Sequence, residues 1–316
     1  MNLYRSDIPH GLMFHRFHKY GDEPAGHGSL TELDFEKMLN HIGVERILTP
    51  EVWLSKVKSN SLQPEDICVT FDDGLRSQFE VALPVLDKYG IKAFWFIFSS
   101  VFNGEIDKNE IYNCFSFSTF SSFDIFFEEF IKSYPVPQKI FSSKAYVLFF
   151  EDIKAKHPFL TKSEIKYRFI RNYGLDKNDF ESALDKMITS KGINISEMAK
   201  NIWMDNKMLQ VLNGADHCIG LHSYSHPSVM AGLKVAEQEK EYVKNYQHIT
   251  NLIGEPIECM SHPLGSYKNE TIDILKKLNL VCGFCSNMTL SEINSGVNPS
   301  NFEIAREDSA NILKLL

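Results

Sequence analysis

The chain has 316 residues, 43% of them hydrophobic and 23% charged, with a formal net charge of −8. It is long enough to bury a sizeable core in one large domain, or in one domain plus an insertion. Its acidic balance disfavours nucleic acid or an anionic membrane as the main partner. The N-terminus has no apolar signal-like stretch, and no run approaches the about 20 residues of a membrane span. The six cysteines lie mostly in apolar sequence, so a cytoplasmic protein with reduced thiols is expected.

Leu12 to His15 reads as a first short strand ending in a histidine, followed by a Gly- and Pro-containing loop from Gly21 to Ser29. Thr31 with Asp34 resembles a capping box and opens a helix bearing Phe35, Met38 and Leu39. Thr49-Pro50-Glu51 opens another, with proline at its first position. Ile67 to Phe71 is a buried-strand run that stops in Asp72-Asp73-Gly74. A helical pattern (Phe79, Leu83, Leu86) and a second apolar strand, Ala93 to Phe98, complete a βαβ unit. Ligands sit at the carboxyl ends of strands in such units.

Residues 102–203 change character: glycines thin out and aromatics at helical spacing dominate. Phe123, Phe126, Phe127 and Phe130 share one helix face, and Thr161 with Glu164 marks a further helix start. This region reads as a helical insertion whose Phe stripe packs a core. The barrel-forming parts are then 1–101 and 204–316. In the second part, a short helix (Met208 to Leu212) precedes a strand (Asp216 to Leu221) leading into His222-Ser-Tyr-Ser-His226-Pro. A long helix (Val235 to Ile253) and a strand (Ile257 to Met260) lead into Ser261-His262-Pro263-Leu264-Gly265. A helix from Thr271 to Leu278, a strand from Leu280 to Cys285 and a last strand from Phe302 to Ala305 follow. Repeated βα units around one core imply an α/β fold of the parallel (β/α) barrel kind.

Three features then fall at strand ends facing one site. The first is Asp72-Asp73, which alone reads as a turn. The second is His222-x3-His226, which alone is a weak signal. Together they offer two imidazoles and a carboxylate, a three-ligand set with open positions that suits a catalytic divalent metal, with a second carboxylate left as a base. Zinc suits these ligands best, and cobalt, nickel, manganese and iron fit them too. The third is the 261–265 loop, whose Pro and Gly let backbone N–H groups face a developing oxyanion. Cys282-Gly-Phe-Cys285 lies in a predicted strand and reads as a buried structural pair.

ThrPheAspAspGly, HisSerTyrSerHisPro and ProLeuGlySerTyr resemble the motifs of the polysaccharide deacetylase (NodB-homology, carbohydrate esterase 4-like) family, in the family's order, over residues 10–101 and 204–306. The resemblance implies a distorted (β/α) barrel of about seven strands. It implies Asp73, His222 and His226 as metal ligands, Asp72 as general base and the Leu264 N–H as oxyanion donor. Pro263 and Gly265 would shape the substrate side of that loop. Ser261 stands where the family carries an arginine, and Arg306, in the late PheGluIleAlaArgGluAsp segment, is the candidate substitute for orienting Asp72. The C-terminal Leu-x-x-His acid motif is absent. Leu12-Met-Phe-His15-Arg looks like the N-terminal variant found in the subgroup acting on poly-N-acetylglucosamine, which makes His15 the acid, with His18 and His262 as alternatives. Tyr224, Trp95 and Trp203 are candidates for stacking on a sugar.

The expected activity is metal-dependent removal of an N-acetyl or N-formyl group from an amino sugar or glycan precursor in surface-polysaccharide metabolism. A cytoplasmic setting would favour a nucleotide- or lipid-linked sugar. The rival readings are an amidohydrolase acting on a non-sugar amide and a catalytically silent carbohydrate-binding homologue. The partner is a carbohydrate or sugar conjugate, and the sequence leaves a homo-oligomer open.

Overall fold

Strands and helices alternate along most of the chain in the computed structural model, which describes residue 4 and residues 7–22, 26, 28–134, 136–156, 160–174, 176–289, 291 and 293–316. The Gly21 to Ser29 loop and the first ten residues lie partly outside the described residues. Strand β1 (His10–Phe14) is followed by α1 (Glu32–Ile42) and α2 (Pro50–Lys58), then β2 (Ile67–Asp72), α3 (Leu83–Tyr89) and β3 (Phe94–Ile97). Six helices come next: α4 (Lys108–Thr119), α5 (Phe123–Ser133), α6 (Lys144–Lys156), α7 (Lys162–Phe169), α8 (Lys177–Ser190) and α9 (Ile195–Ala199). The chain continues through α10 (Asn206–Gly214), β4 (Cys218–Leu221), α11 (Val235–Ile253), β5 (Cys259–Ser261), α12 (Asn269–Lys277), β6 (Cys282–Phe284), β7 (Arg306–Asp308) and α13 (Ser309–Leu313).

The seven strands form one parallel sheet in the order β6-β5-β4-β3-β2-β1-β7. A parallel bridge from Phe284 to Ile304 brings the two edges together, so the sheet is a nearly closed, distorted barrel of the TIM type. The last strand lies later than the apolar run Phe302 to Ala305 suggests. Ile304 makes only that bridge, and the ladder with β1 begins at Arg306.

Period-two alternation decides what each strand contributes. On β2, Ile67, Val69 and Phe71 pack outward with Leu12, Phe14, Trp95, Ile219 and Leu221 in the layer beneath the helices. Cys68 belongs to a second apolar cluster with Phe94, Phe96, Cys259, Cys282 and Phe284, joined by Trp53, Leu54 and Val57 of α2. The same alternation sets Thr70 and Asp72 on the Cys68 side, which carries Asp72 inward at the strand's C-terminal end.

By density of contacts, residues 1–22, 28–107 and 201–316 make one unit, and 23–27 with 108–200 make a second. Among the described residues, the regular structure of the second unit is helical. Phe126, Phe127 and Phe130 of α5 are buried there, with Phe130 against Phe180 (ring centroids 5.7 Å apart) and Phe126 against Tyr167 (5.5 Å). Among the described residues no helix is long and apolar enough to cross a membrane.

Candidate active site

Parallel strands all end on one side, and the chemically able side chains cluster there. His15 follows β1, Asp72 closes β2 with Asp73 next, His222 follows β4, and Ser261 closes β5. The turns that carry them are tight. Asp73 (φ 77°), Ser223 (66°), His226 (52°) and Leu264 (51°) are non-glycine residues in left-handed backbone, each costing of order 1–3 kcal/mol. Gly265 has φ +67°, and a Cβ there would stand 2.3 Å from Ser286 Oγ, so this position of the loop needs glycine. Strain gathered at strand ends marks a place where geometry is held for a purpose.

Asp73, His222 and His226 each point one ligand atom at a common spot, all within 4.8 Å of one another. Asp73 Oδ1 is 3.5 Å from the Nε2 of each histidine. His222 Nδ1 donates to the Ser261 carbonyl (2.9 Å), which leaves Nε2 as the ring nitrogen turned toward Asp73. Burial works against a charge on both imidazoles. At His226 burial prevails over the Asp73 carboxylate and the pKa falls to about 4. At His222 the Asp72 and Asp73 carboxylates outweigh burial and raise it. Burial also opposes charge on Asp73, yet the surrounding imidazoles hold its pKa well below the usual carboxylate range. An ionised carboxylate with two inward imidazole nitrogens fits a borderline divalent cation.

Asp72 is held differently. The fully buried Arg306 sends its side chain from the start of β7 across to it, past Gly11, where a Cβ would sit 3.1 Å from Arg306 Cγ. Arg306 Nη1 donates to Asp72 Oδ1 and Nη2 to Oδ2, both at 2.7 Å. The remaining donors reach Thr70 Oγ1 (3.3 Å), Ser261 Oγ (2.7 Å) and the Cys285 carbonyl (2.5 Å), so all five guanidinium N–H groups are used. Ser261 Oγ in turn donates to Asp72 Oδ2 (3.2 Å). Burial alone would raise the Asp72 pKa, but Arg306 and then His222 outweigh it and keep the carboxyl below its ordinary value. His15 Nε2 lies 3.8 Å from Asp72 Oδ2, with about a third of its side chain (31%) open to solvent.

The 263–265 turn is fixed by Gly265 N–H to the His262 carbonyl (3.0 Å) and Ser266 N–H to the Pro263 carbonyl (2.9 Å). The Leu264 side chain is exposed and Pro263 is buried. Of the alternative acids, His262 is buried, donates to the Phe302 carbonyl (2.8 Å), stacks on Tyr267 and is kept neutral by burial at a pKa of about 4. His18 pairs with Ser29 Oγ (2.8 Å). Trp95 and Trp203 are buried core residues, which removes them as open stacking platforms. Tyr224 is half-buried, with its hydroxyl on Glu105 (2.7 Å) and Lys244 4.5 Å above its ring. Cys282 is fully buried, and burial pushes the Cys285 thiol up to about 11.

Sequence reasoning passed over the residues that hold the histidine loop. Glu241 and Asn245 stand one helical turn apart on α11. Asn245 Oδ1 accepts the His222 N–H (3.0 Å), while its amide donates to the Ile97 carbonyl and Ser99 Oγ. Glu241 accepts the backbone N–H groups of Tyr224 and Ser225 (3.0 and 2.7 Å). The signal was present: Gln238, Tyr242, Asn245 and Ile249 form the buried stripe of α11, and an asparagine on such a stripe needs partners.

The sequence pattern of the family described as polysaccharide deacetylase matches residues 59–113 and 181–283, half of the chain. No curated protein matches the chain. Among solved structures, the chain is similar to the deacetylase PplD of Streptococcus pyogenes, in complex with acetate (15% identity, TM-score 0.54, 98% of each chain covered). It is similar to IcaB of Ammonifex degensii at 13% identity and TM-score 0.54, over 96% of this chain and 91% of that one. A de-N-acetylase of Aggregatibacter actinomycetemcomitans aligns at 12% identity and TM-score 0.52, over 97% and 99%. At these identities the structural likenesses speak for the fold, and the matched sequence pattern speaks for descent: the chain belongs to the polysaccharide deacetylase family.

Proposed function

We propose that this protein is a metal-dependent hydrolase that removes an N-acetyl (or N-formyl) group from an amino sugar of a glycan or glycan precursor. The observation that carries the reading is the division of labour between two adjacent aspartates. Asp73 joins His222 and His226 in a three-ligand cluster, while Asp72 stays outside it, ionised by Arg306 and next to His15. The family and the names of the similar structures support deacetylation of a polysaccharide-type substrate.

Asp73, His222 and His226 would hold one divalent cation, zinc by donor type, with Co, Ni, Mn or Fe compatible. When bound, such a cation acidifies a water and polarises an amide carbonyl. Asp72 takes a proton from the water as its oxygen attacks that carbonyl. The Leu264 N–H faces the oxygen on which negative charge grows. The C–N bond then breaks with a proton from His15 going to nitrogen, because an amide anion is too basic to leave. Amide plus water becomes amine plus acetic acid, which part as ammonium and acetate near neutral pH, and the proton taken by Asp72 makes good the one given by His15. Arg306 neither gives nor takes a proton; it fixes the Asp72 carboxylate. Tyr224, Pro263 and Gly265 are the groups assigned to the substrate side.

The test is metal content and acetate release on the same preparation, with N-acetylated sugars offered free, nucleotide-linked and as oligomers. About one metal per chain with acetate release supports the reading. Metal without acetate from any sugar would favour a different acyl group or a non-sugar amide. Failure to take up metal after reconstitution would defeat the catalytic reading and favour a silent carbohydrate-binding role.

Asn245→Leu gives a second check. It removes one of the two acceptors of the His222 backbone N–H, leaving the Ile97 carbonyl (3.1 Å), and should weaken metal binding about 10-fold, at the lower end of what loss of outer partners of metal ligands costs. Competition with a chromogenic chelator reads this directly. An unchanged affinity would mean that α11 does not set the ligand geometry.

A further inference from the structure

Gln78 is fully buried, and its side chain makes two hydrogen bonds, both to the backbone of residues assigned to proton transfer. One Nε2 hydrogen goes to the His15 carbonyl (2.8 Å) and the other to the Asp72 carbonyl (2.5 Å). Both partners accept only, so the amide orientation is fixed by chemistry. Its Oε1, equally buried, has no partner among the described residues. An orphaned buried acceptor destabilises a fold, and such groups call for an explanation. Gln78 also begins a π-helical turn, Gln78–Ala82, a local widening often found at functional sites. Just before this turn, Ser77 Oγ accepts the Phe17 N–H (3.3 Å), so two adjacent residues hold the chain at His15 and two positions beyond it.

We propose that Gln78 is a positioning residue that sets the separation of His15 from Asp72 by clamping the ends of β1 and β2 with one amide, an inference that rests on the deacetylase reading for the roles of those two groups. The β1–β2 ladder pairs Phe14 with Phe71 and stops there. His15 lies one residue past that last paired position, where no ladder bond fixes its height against Asp72. The Gln78 amide supplies that missing tie. A glutamine is suited to this because two N–H groups on one nitrogen can serve two carbonyls at once. A leucine or methionine of similar reach can serve neither.

The experiment uses Gln78→Leu and Gln78→Met in the full chain, with metal content, steady-state kinetics and crystal structures of each. Metal stoichiometry is expected to stay as in wild type, because the Gln78 amide hydrogen-bonds to the His15 and Asp72 carbonyls and to none of the three ligand side chains. Turnover should fall about 10²-fold with KM changed little, the size of effect that a roughly 1 Å misplacement produces. The losses from Gln78→Leu and His15→Ala should be non-additive. In a His15→Ala background, Gln78→Leu should cost almost nothing further, whereas a general loss of structure would cost the same in both backgrounds. The His15 Nε2 to Asp72 Oδ2 distance, 3.8 Å in the native chain, should lengthen in the variant crystals. The proposal is overturned if turnover stays within about twofold, if the two losses simply add, or if that distance is unchanged. It is equally overturned if both variants fail to fold with metal bound, since Gln78 is then a framework residue. Should wild type release acetate from no substrate, the deacetylase reading fails by itself, and the crystallographic distance still decides whether Gln78 sets the spacing.

Discussion

Asp72→Asn is expected to keep its metal and lose about 10²–10⁴-fold in turnover, the range carried by a general base. On the proposed reading Asp72 Oδ2 is the oxygen that takes the proton. It lies 3.8 Å from both His15 Nε2 and His222 Nε2 while also accepting from Arg306 Nη2 and Ser261 Oγ, and Oδ1 is held by Arg306 Nη1. An amide in its place has the same shape and cannot take up a proton. Its NH2 would also face a donor, since Arg306 donates to both oxygens and Ser261 donates to Oδ2. The side chain should therefore turn to keep one good hydrogen bond to Arg306. Asp73→Asn should fail in the opposite order. Asp73 Oδ1 is the atom shared by both imidazoles, so metal content falls first and activity follows from it. Metal analysis beside turnover, on the two variants in parallel, separates the roles. Metal lost from Asp72→Asn and retained by Asp73→Asn would reverse the assignment.

The strand-end motifs were legible because they lie within a few neighbouring residues and fall where period-two runs stop. The β2 run reads as strand, its last residue faces the interior by alternation, and the His222-x3-His226 spacing falls just after β4. Capping boxes at Thr31 and Thr161 and the proline opening α2 declare helices locally. What depends on long-range closure was harder to read. Arg306 came forward as a partner for Asp72 only through the family resemblance: it reaches Asp72 across 234 positions of sequence, and nothing in the PheGluIleAlaArgGluAsp segment itself says that its strand lies beside β1. The run Phe302 to Ala305 looks more like a strand than Arg306–Asp308 does, because apolar character is read as burial while ladder pairing is set by the barrel's circumference. Trp203 stood as a stacking candidate because what covers it is distant in sequence. Its neighbour in space, Leu75, bridges to it from the carboxylate turn, a contact no local pattern announces. Gln78, Glu241 and Asn245 share this character, as polar residues whose partners lie on other elements.

Arg306→Leu is expected to destabilise the fold by about 3–5 kcal/mol, the cost of leaving one member of a buried ion pair behind. Four acceptors besides the other Asp72 oxygen lose a donor in the same step: Thr70, Ser261, the Cys285 carbonyl and one Asp72 oxygen. Arg306→Lys should recover part of this. An ammonium keeps the charge with three donors from one point, and loses the parallel pair of bonds that fixes the carboxylate plane. Turnover should remain depressed in Arg306→Lys even at temperatures where it is fully folded, because an Asp72 free to rotate no longer presents Oδ2. Removing both charges, as Asp72→Leu with Arg306→Leu, should be more stable than Arg306→Leu alone and wholly inactive. The sign of the pH dependence separates charge from packing. In wild type the Asp72 carboxyl is held below its ordinary pKa, so the pair's contribution is complete above the usual carboxylate range and is lost as pH falls through the lowered folded value. In Arg306→Leu burial acts on Asp72 without the guanidinium, its folded pKa rises above the unfolded one, and acid protonates a carboxyl the fold prefers neutral. The stability gap between the two proteins should therefore narrow as pH is lowered, measured by urea unfolding at a series of pH values. A gap that stays constant across that series would mean the loss is one of packing alone, and that Arg306 does not hold the charge of Asp72.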